Sequence, residues 1–357
     1  MKSLIALFAS LCLVLPAFGA PPKIVNAADG IFAAFQSHPL VGLGESHGLA
    51  QELDFYATLV RDPRFATEVG NIVVESGDAA QQPVVDRYVN GEDVPYSELR
   101  KVWSDTVGFF PTVLYLGNIN LYAVIRAVNQ TLPSEKRIKV WLGDPPIDWS
   151  QIKTKDEWQP LENQRDSYPA ALINREILSK NKKALVIYGE AHFSVYPMVY
   201  FGSISPTPNL RARLGTAHPG ALYVVVPYVG YTTAACAKAL ERHLKGISAP
   251  SLISPIRGSS LENDILRPGC ATFTKTADMT QEEYQQELTT SVGLNSDAFL
   301  YLGQRSSLLR DPQVPDIYLD IDYGAEMERR VRLRLGQTMG GWKPRIQPAT
   351  AQPYWPD

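Results

Sequence analysis

Four short apolar runs of this chain each end in a carboxylate: Leu40–Glu45 (LVGLGE), Asn71–Glu75 (NIVVE), Ile138–Asp144 (IKVWLGD) and Ala184–Glu190 (ALVIYGE). Runs of this length and character read as buried strands. Between them the apolar residues change to a helical period. Ala27 to Gln36 reads as a helix, and so does Ala50 to Val60, with Leu53, Tyr56, Ala57 and Val60 on one face. Ala79 to Val89 is a third, with Pro83 in its first turn, where proline is tolerated. Val113 to Asn129 is a fourth, and Leu161 to Ser179 a fifth, with Pro169 as a kink or break. Pro145-Pro146 turns the chain into a loop directly after Asp144.

This alternation predicts parallel βαβ units, hence an α/β fold with a mostly parallel central sheet and flanking helices. Farther on, Ala221 to Tyr228 and Ala298 to Leu302 read as strands, with a helix from Thr232 to Lys245 between them. Ser248 to Thr274, rich in Ser, Pro and Gly, reads as a long ordered loop; Glu326 to Leu335 as a charged helix; and Gln347 to Asp357 as a loose tail.

The N-terminus changes the picture of where the chain works. Met1-Lys2, an apolar run from Leu4 to Leu15, and the small residues Ala17 and Gly19 predict a secretory signal peptide over 1–19. The expectation is an exported protein, periplasmic or secreted, with a single domain over 20–345 and a tail over 346–357. A hydrophobic content of 45% suits a globular chain with a substantial core. A net charge of −3 without a basic patch argues against a nucleic-acid partner, and no later segment is long and apolar enough for a membrane span. Beyond the leader, Cys236 and Cys270 are either a disulfide, worth about 3–4 kcal/mol in an oxidising compartment, or two unrelated thiols.

Two of the four strand ends continue alike: Gly44-Glu45-Ser46-His47 and Gly189-Glu190-Ala191-His192. The chain has five histidines, so two in one setting is informative. In an open parallel sheet, ligands bind outside the carboxyl ends of the strands, which would gather Glu45, His47, Glu75, Asp144, Glu190 and His192 into one cleft. Such a set serves two chemistries. Either His47 or His192 acts as a general base toward water, with a carboxylate fixing its tautomer, or Glu45, His47, Glu190 and His192 ligate zinc, manganese or iron. Against these stand blander roles: hydrogen-bonded strand-end histidines, helix-capping glutamates, and Asp144 as a turn residue. Ser46 and Ser76 lack a nucleophile elbow, and no phosphate-binding loop or dinucleotide fingerprint is present.

The run VGLGESHG, then NIVVESGD, QQPVVDRYVNGED, RDSYPAALINREIL, ALVIYGEAHF and SDAFLYLG together resemble the erythromycin-esterase-like and ChaN-like superfamily over roughly residues 26 to 303. The resemblance implies a site of Glu45, His47, Glu75 and His192, with Arg165 as a partner for substrate or carboxylate. It implies three activities: lactone opening by histidine-activated water, metal-dependent proteolysis, or haem binding in iron uptake. Glu45 and His47 are separated by Ser46 alone, as in the ChaN-like branch, whereas Gly48 and the Glu52 region look more esterase-like. The leading expectation is a hydrolase of a small-molecule or peptide substrate, with His47 as base, oriented by Glu45 and Glu75. In it His192 and Glu190 polarise the substrate or hold a divalent metal. The alternative is a haem- or metal-ion-binding protein without turnover.

Overall fold

A computed structural model describes residues 20–108, 114–194, 199–200, 203–204, 207–228, 244–265, 296–336, 338 and 351–354. The leader over 1–19, all but the last two residues of the Thr232–Lys245 helix, and the Cys236–Cys270 pair fall outside the described residues.

Strands β1 (Lys23–Asn26), β2 (Leu40–Glu45), β3 (Asn71–Asp78), β4 (Lys139–Asp144), β5 (Ala184–Gly189), β6 (Leu222–Tyr228), β7 (Ser251–Ser254) and β8 (Ala298–Tyr301) build the sheet. It is eight-stranded, in the order β1-β7-β8-β6-β2-β5-β3-β4. β7 runs antiparallel to both neighbours, and the other pairings are parallel. This is the mostly parallel α/β architecture expected from the strand–helix alternation.

The helices are α1 (Ala27–Ala34), α2 (Ala50–Arg61), α3 (Gln82–Val89), α4 (Leu116–Asn129), α5 (Lys155–Glu162), α6 (Ser167–Glu176), α7 (Leu210–Ala217) and α8 (Ile321–Leu335). Strand alternation divides the core between two layers. Val41, Leu43, Leu185 and Ile187 pack on the side of α1, α2 and α4, while Leu40, Ala184, Val186 and Tyr188 pack with Leu172 and Ile173 of α6 and Leu210 of α7. β2 and β5 are buried along their whole length, which is why they read as continuous apolar runs rather than as alternating ones.

Topology then places the site. From β2 the chain passes through α2 to β3, beyond β5; from β5 it passes through α7 to β6, beyond β2. Neighbouring strands whose connections leave in opposite directions open a crevice at their carboxyl ends. The two Gly-Glu-x-His segments are the exits of those two strands.

Three expectations need correction. The helix expected over Leu161 to Ser179 is two helices, broken between Glu162 and Ser167. Pro169 sits in the first turn of α6, where its missing N–H costs nothing, so it marks a start and not a kink. Ser248 to Thr274 is not simply a loop, since Leu252 and Ile253 are buried in β7 and Ser260–Ile265 is helical. The tail is not loose at Gln352–Pro353, which pairs antiparallel with Leu309–Arg310, while Tyr354 is buried and its amide donates to Leu308 O at 2.9 Å. Among the described residues no helix is long and apolar enough to cross a membrane.

Candidate functional site

Register brings the two motifs together: Glu45 is the partner of Gly189 across β2 and β5. Glu45 is buried and held from two sides. Its Oε1 lies 2.8 Å from His47 Nδ1, and its Oε2 accepts from Asn118 Nδ2 at 3.1 Å. The carboxylate is an acceptor, so Nδ1 carries the hydrogen and Nε2 is the atom that exchanges a proton. Burial lowers the His47 pKa, but the hydrogen bond to Glu45 and the charges of Glu45 and Glu75 outweigh it, and the net direction is upward. His47 is the partly exposed member of the pair, 37% against 6% for the Glu45 side chain.

The turn after His47 is shaped by Gly48, whose φ of +80° suits glycine. A Cβ there would run into Cζ of Tyr115, so the Tyr115 ring occupies that space. From below, Glu52 of α2 accepts from Ser46 N at 2.9 Å and from Tyr56 Oη at 2.7 Å. Burial, with the Glu45 charge, pushes the Glu52 carboxyl well above the usual range.

Behind the pair runs a buried chain of alternating charges. His192 Nδ1 lies 2.6 Å from Asp166 Oδ1, and its Nε2 lies 3.1 Å from Glu75 Oε1. Glu75 Oε1 also accepts from Arg165 Nη2, and its Oε2 accepts from Gly189 N at 2.6 Å. Arg165 Nε reaches Asp144 Oδ1 at 3.2 Å, and Asp144 Oδ2 accepts from Val107 N. Burial alone would lower the His192 pKa, yet Glu75 and Asp166 raise it to about 9. Burial would raise Glu75, but His192, Arg165 and His47 hold it far below the ordinary range. Asp144 is pushed up to about 7 by burial despite Arg165. His192 is thus a buried imidazolium between carboxylates.

Of the residues singled out from the sequence, Glu45, His47, Glu75, Arg165 and His192 converge, and Asp144 joins through Arg165. Glu190 is half-buried and makes no hydrogen bond or ion pair with any described residue. It lies over Gly44, where a Cβ would come within 3.1 Å of Glu190 Cα; burial raises its pKa against the lowering charge of His47.

The same geometry does not gather Glu45, His47, Glu190 and His192 into a metal site. Both nitrogens of His192 face carboxylates and Nδ1 of His47 faces Glu45. Among the described residues no three His, Cys, Asp or Glu side chains are grouped to hold an ion. Sequence reasoning gave no role to Asp166, Asn118 or Tyr115. Asp166 stood in plain view beside Arg165; Asn118 and Tyr115 belong to the start of α4 and carried no motif.

Fold and site together define an α/β protein with a carboxylate–histidine pair at the switch point of its sheet. No family model matches the chain, and no curated protein matches it either. Among solved structures it is similar to a Bacillus cereus protein at 13% identity, with a TM-score of 0.48, over 79% of this chain and 94% of that one. It is also similar to the type III effector HopBA1 at 13% identity, with a TM-score of 0.38, over 82% of this chain and 100% of that one. The erythromycin-esterase/ChaN-like resemblance therefore rests on the motifs of the sequence.

Proposed function

We propose that this chain is an exported hydrolase of the erythromycin-esterase/ChaN-like type that cleaves an ester, a lactone or a related bond with a water activated by His47. The observation that carries the reading is the 2.8 Å contact between His47 Nδ1 and buried Glu45 Oε1, with the imidazole itself partly exposed at the switch point. Nε2 takes a proton from water as its oxygen attacks the carbonyl carbon. The tetrahedral oxyanion then collapses, breaking the bond to the leaving oxygen, which receives the proton from the imidazolium. Glu45 holds the tautomer and offsets the charge. Glu190, half-buried beside His47 and raised toward its protonated form, stands on the substrate side as a second proton donor.

His192 has no nitrogen to offer a substrate. In this reading it is a positioning residue, fixing Glu75, which in turn faces Gly189 and the His47 ring. A panel of aryl esters, alkyl esters and lactones tests the proposal. Wild-type protein should turn over at least one class, with a rate that rises with pH as the elevated His47 pKa is passed. His47→Ala should abolish that turnover while leaving the thermal transition nearly in place. Full activity in His47→Ala would end the proposal.

A further inference from the structure

Nine of the described arginines are neutralised, whereas Arg61, Arg137, Arg211 and Arg213 have no carboxylate within ion-pair distance among the described residues. Arg64, Arg87, Arg100, Arg165, Arg175, Arg329, Arg330, Arg332 and Arg334 each pair with a carboxylate. Arg126 pairs with none, but its donors are taken by the carbonyls of Tyr88, Gly91 and Glu92. Arg310, half-buried, has no carboxylate within ion-pair distance among the described residues. Its guanidinium is nonetheless held in place. Nη2 donates to Tyr354 O at 3.0 Å, Nη1 reaches Tyr115 Oη at 3.4 Å, and Cζ lies 5.1 Å from the centre of the Tyr354 ring.

Its position is as telling as its charge. Arg310 bridges Leu49, and the amide of Asp311 donates to Gly48 O at 2.8 Å, so the strand is stitched to the turn that follows His47. The Tyr115 hydroxyl beside it fills the space over Gly48. Tyr354, on its other side, lies close enough to Glu190 and Glu52 to feel both charges. Arg310 is thus an ordered cation with no carboxylate partner among the described residues, at the rim of the Glu45–His47 site.

We propose that Arg310 anchors a carboxylate of the substrate, so that the bond presented to His47 belongs to an ester or lactone bearing a free acid. That the anion is a substrate rests on the hydrolase reading; the anion site does not. A guanidinium offers parallel N–H groups that match the two oxygens of a carboxylate. With some donors already used by Tyr115 and Tyr354, those remaining are pre-oriented, which lowers the ordering cost of binding. A monoanionic group also suits the surroundings better than a phosphate. Glu52 and Glu190 both act on Tyr354 beside this single guanidinium, and a second negative charge on the ligand would meet more repulsion than attraction.

The test is a titration of the full chain with butyrate, with its neutral amide and with inorganic phosphate, followed by calorimetry and by the imidazole resonances of His47. Butyrate should bind saturably and shift the His47 signals, and the amide should do neither. Arg310→Gln should weaken butyrate at least tenfold, and Arg310→Lys should weaken it several-fold through loss of the fork. Arg310→Lys keeps the charge and so remains informative if the glutamine variant folds poorly. Absent saturable binding, unchanged binding in both Arg310 variants, or phosphate binding as tightly as butyrate would each overturn the assignment. Butyrate binding without turnover of any ester would remove the hydrolase and leave the anion site; turnover without butyrate binding would do the reverse.

Discussion

The imidazole of His47 lies across the backbone of Gly189. A methyl group on that glycine would stand 3.0 Å from His47 Nε2, 3.2 Å from Cε1 and 3.3 Å from Glu75 Oε2. The second Gly-Glu-x-His segment therefore supplies, through its glycine, the floor on which the histidine of the first one rests. Gly189→Ala should push the ring off that floor. An added methyl in a packed interior costs about 1–3 kcal/mol, and a misplacement near 1 Å lowers a rate by about a hundredfold. The expected result is a folded protein, a few degrees less stable, with kcat reduced far more than its stability. Wild-type kcat in Gly189→Ala would show that the ring has room to move.

His192 makes stability depend on pH in a definite direction. Its folded pKa of about 9 lies above the ordinary value of 6.5, so the folded state binds the proton more tightly than the unfolded chain does. That contribution is complete below about pH 6.5, is lost as pH rises toward 9, and is absent above it. At about 1.4 kcal/mol per unit, the loss is on the order of 3 kcal/mol. Asp144, raised to about 7, adds a loss in the same direction once it must ionise in its buried place. Urea midpoints from pH 6 to 10 should fall for wild type and fall less steeply for His192→Gln. Parallel curves for the two proteins would contradict the buried imidazolium.

Arg165 is the cation that makes the strand-end carboxylates tolerable. It joins Glu75 to Asp144, with Glu162 3.7 Å away, and its side chain is 9% exposed. Removing one partner of a buried ion pair costs about 3–5 kcal/mol, because the remaining charge stays in a poorly solvating place. Arg165→Ala should lose stability on that scale at neutral pH, with part of it recovered in mild acid as Asp144 takes up a proton. Arg165→Lys cannot span Glu75 and Asp144 as a fork and should fall between. A loss below about 1 kcal/mol for the alanine variant, within the range of an exposed pair, would place this network at the surface.

The sequence made the sheet legible where strands are short, apolar and closed by a carboxylate. β2, β3, β4 and β5 all ended where Glu45, Glu75, Asp144 and Glu190 indicated, to within a few residues. The limits appear where a contact, rather than a period, decides. Ser251–Ser254 has two apolar residues between prolines 250 and 255, too few for a pattern, and becomes a strand because β1 and β8 lie on either side. Tyr354 is buried because a partner strand 44 residues earlier in the chain holds it. The same holds in the site. Glu45 and His47 are neighbours in sequence and were readable as a pair, whereas Asp166 meets His192, and Asn118 meets Glu45, only through the fold.

Glu52 offers the sharpest separation of charge from shape. It is 1% exposed, accepts from Ser46 N and Tyr56 Oη, and is driven toward its protonated form by burial and by Glu45. A carboxyl whose folded pKa is raised contributes most below its unfolded value, and that contribution disappears as pH rises through the folded one. A glutamine in its place does not titrate and has no such loss. Glu52→Gln keeps an oxygen for the Ser46 amide and an amide that can donate to Tyr56, so it should match wild type in mild acid, exceed it in stability by a margin that grows as pH rises above the ordinary carboxyl range, and retain turnover. Glu52→Ala instead leaves the Ser46 amide unpaired at a cost of about 1–3 kcal/mol, and it loosens the turn that carries His47. Turnover should therefore fall in Glu52→Ala and persist in Glu52→Gln. If Glu52→Gln lost activity as completely as the alanine variant, the negative charge of Glu52, and not its hydrogen bond to Ser46, would be what the site requires.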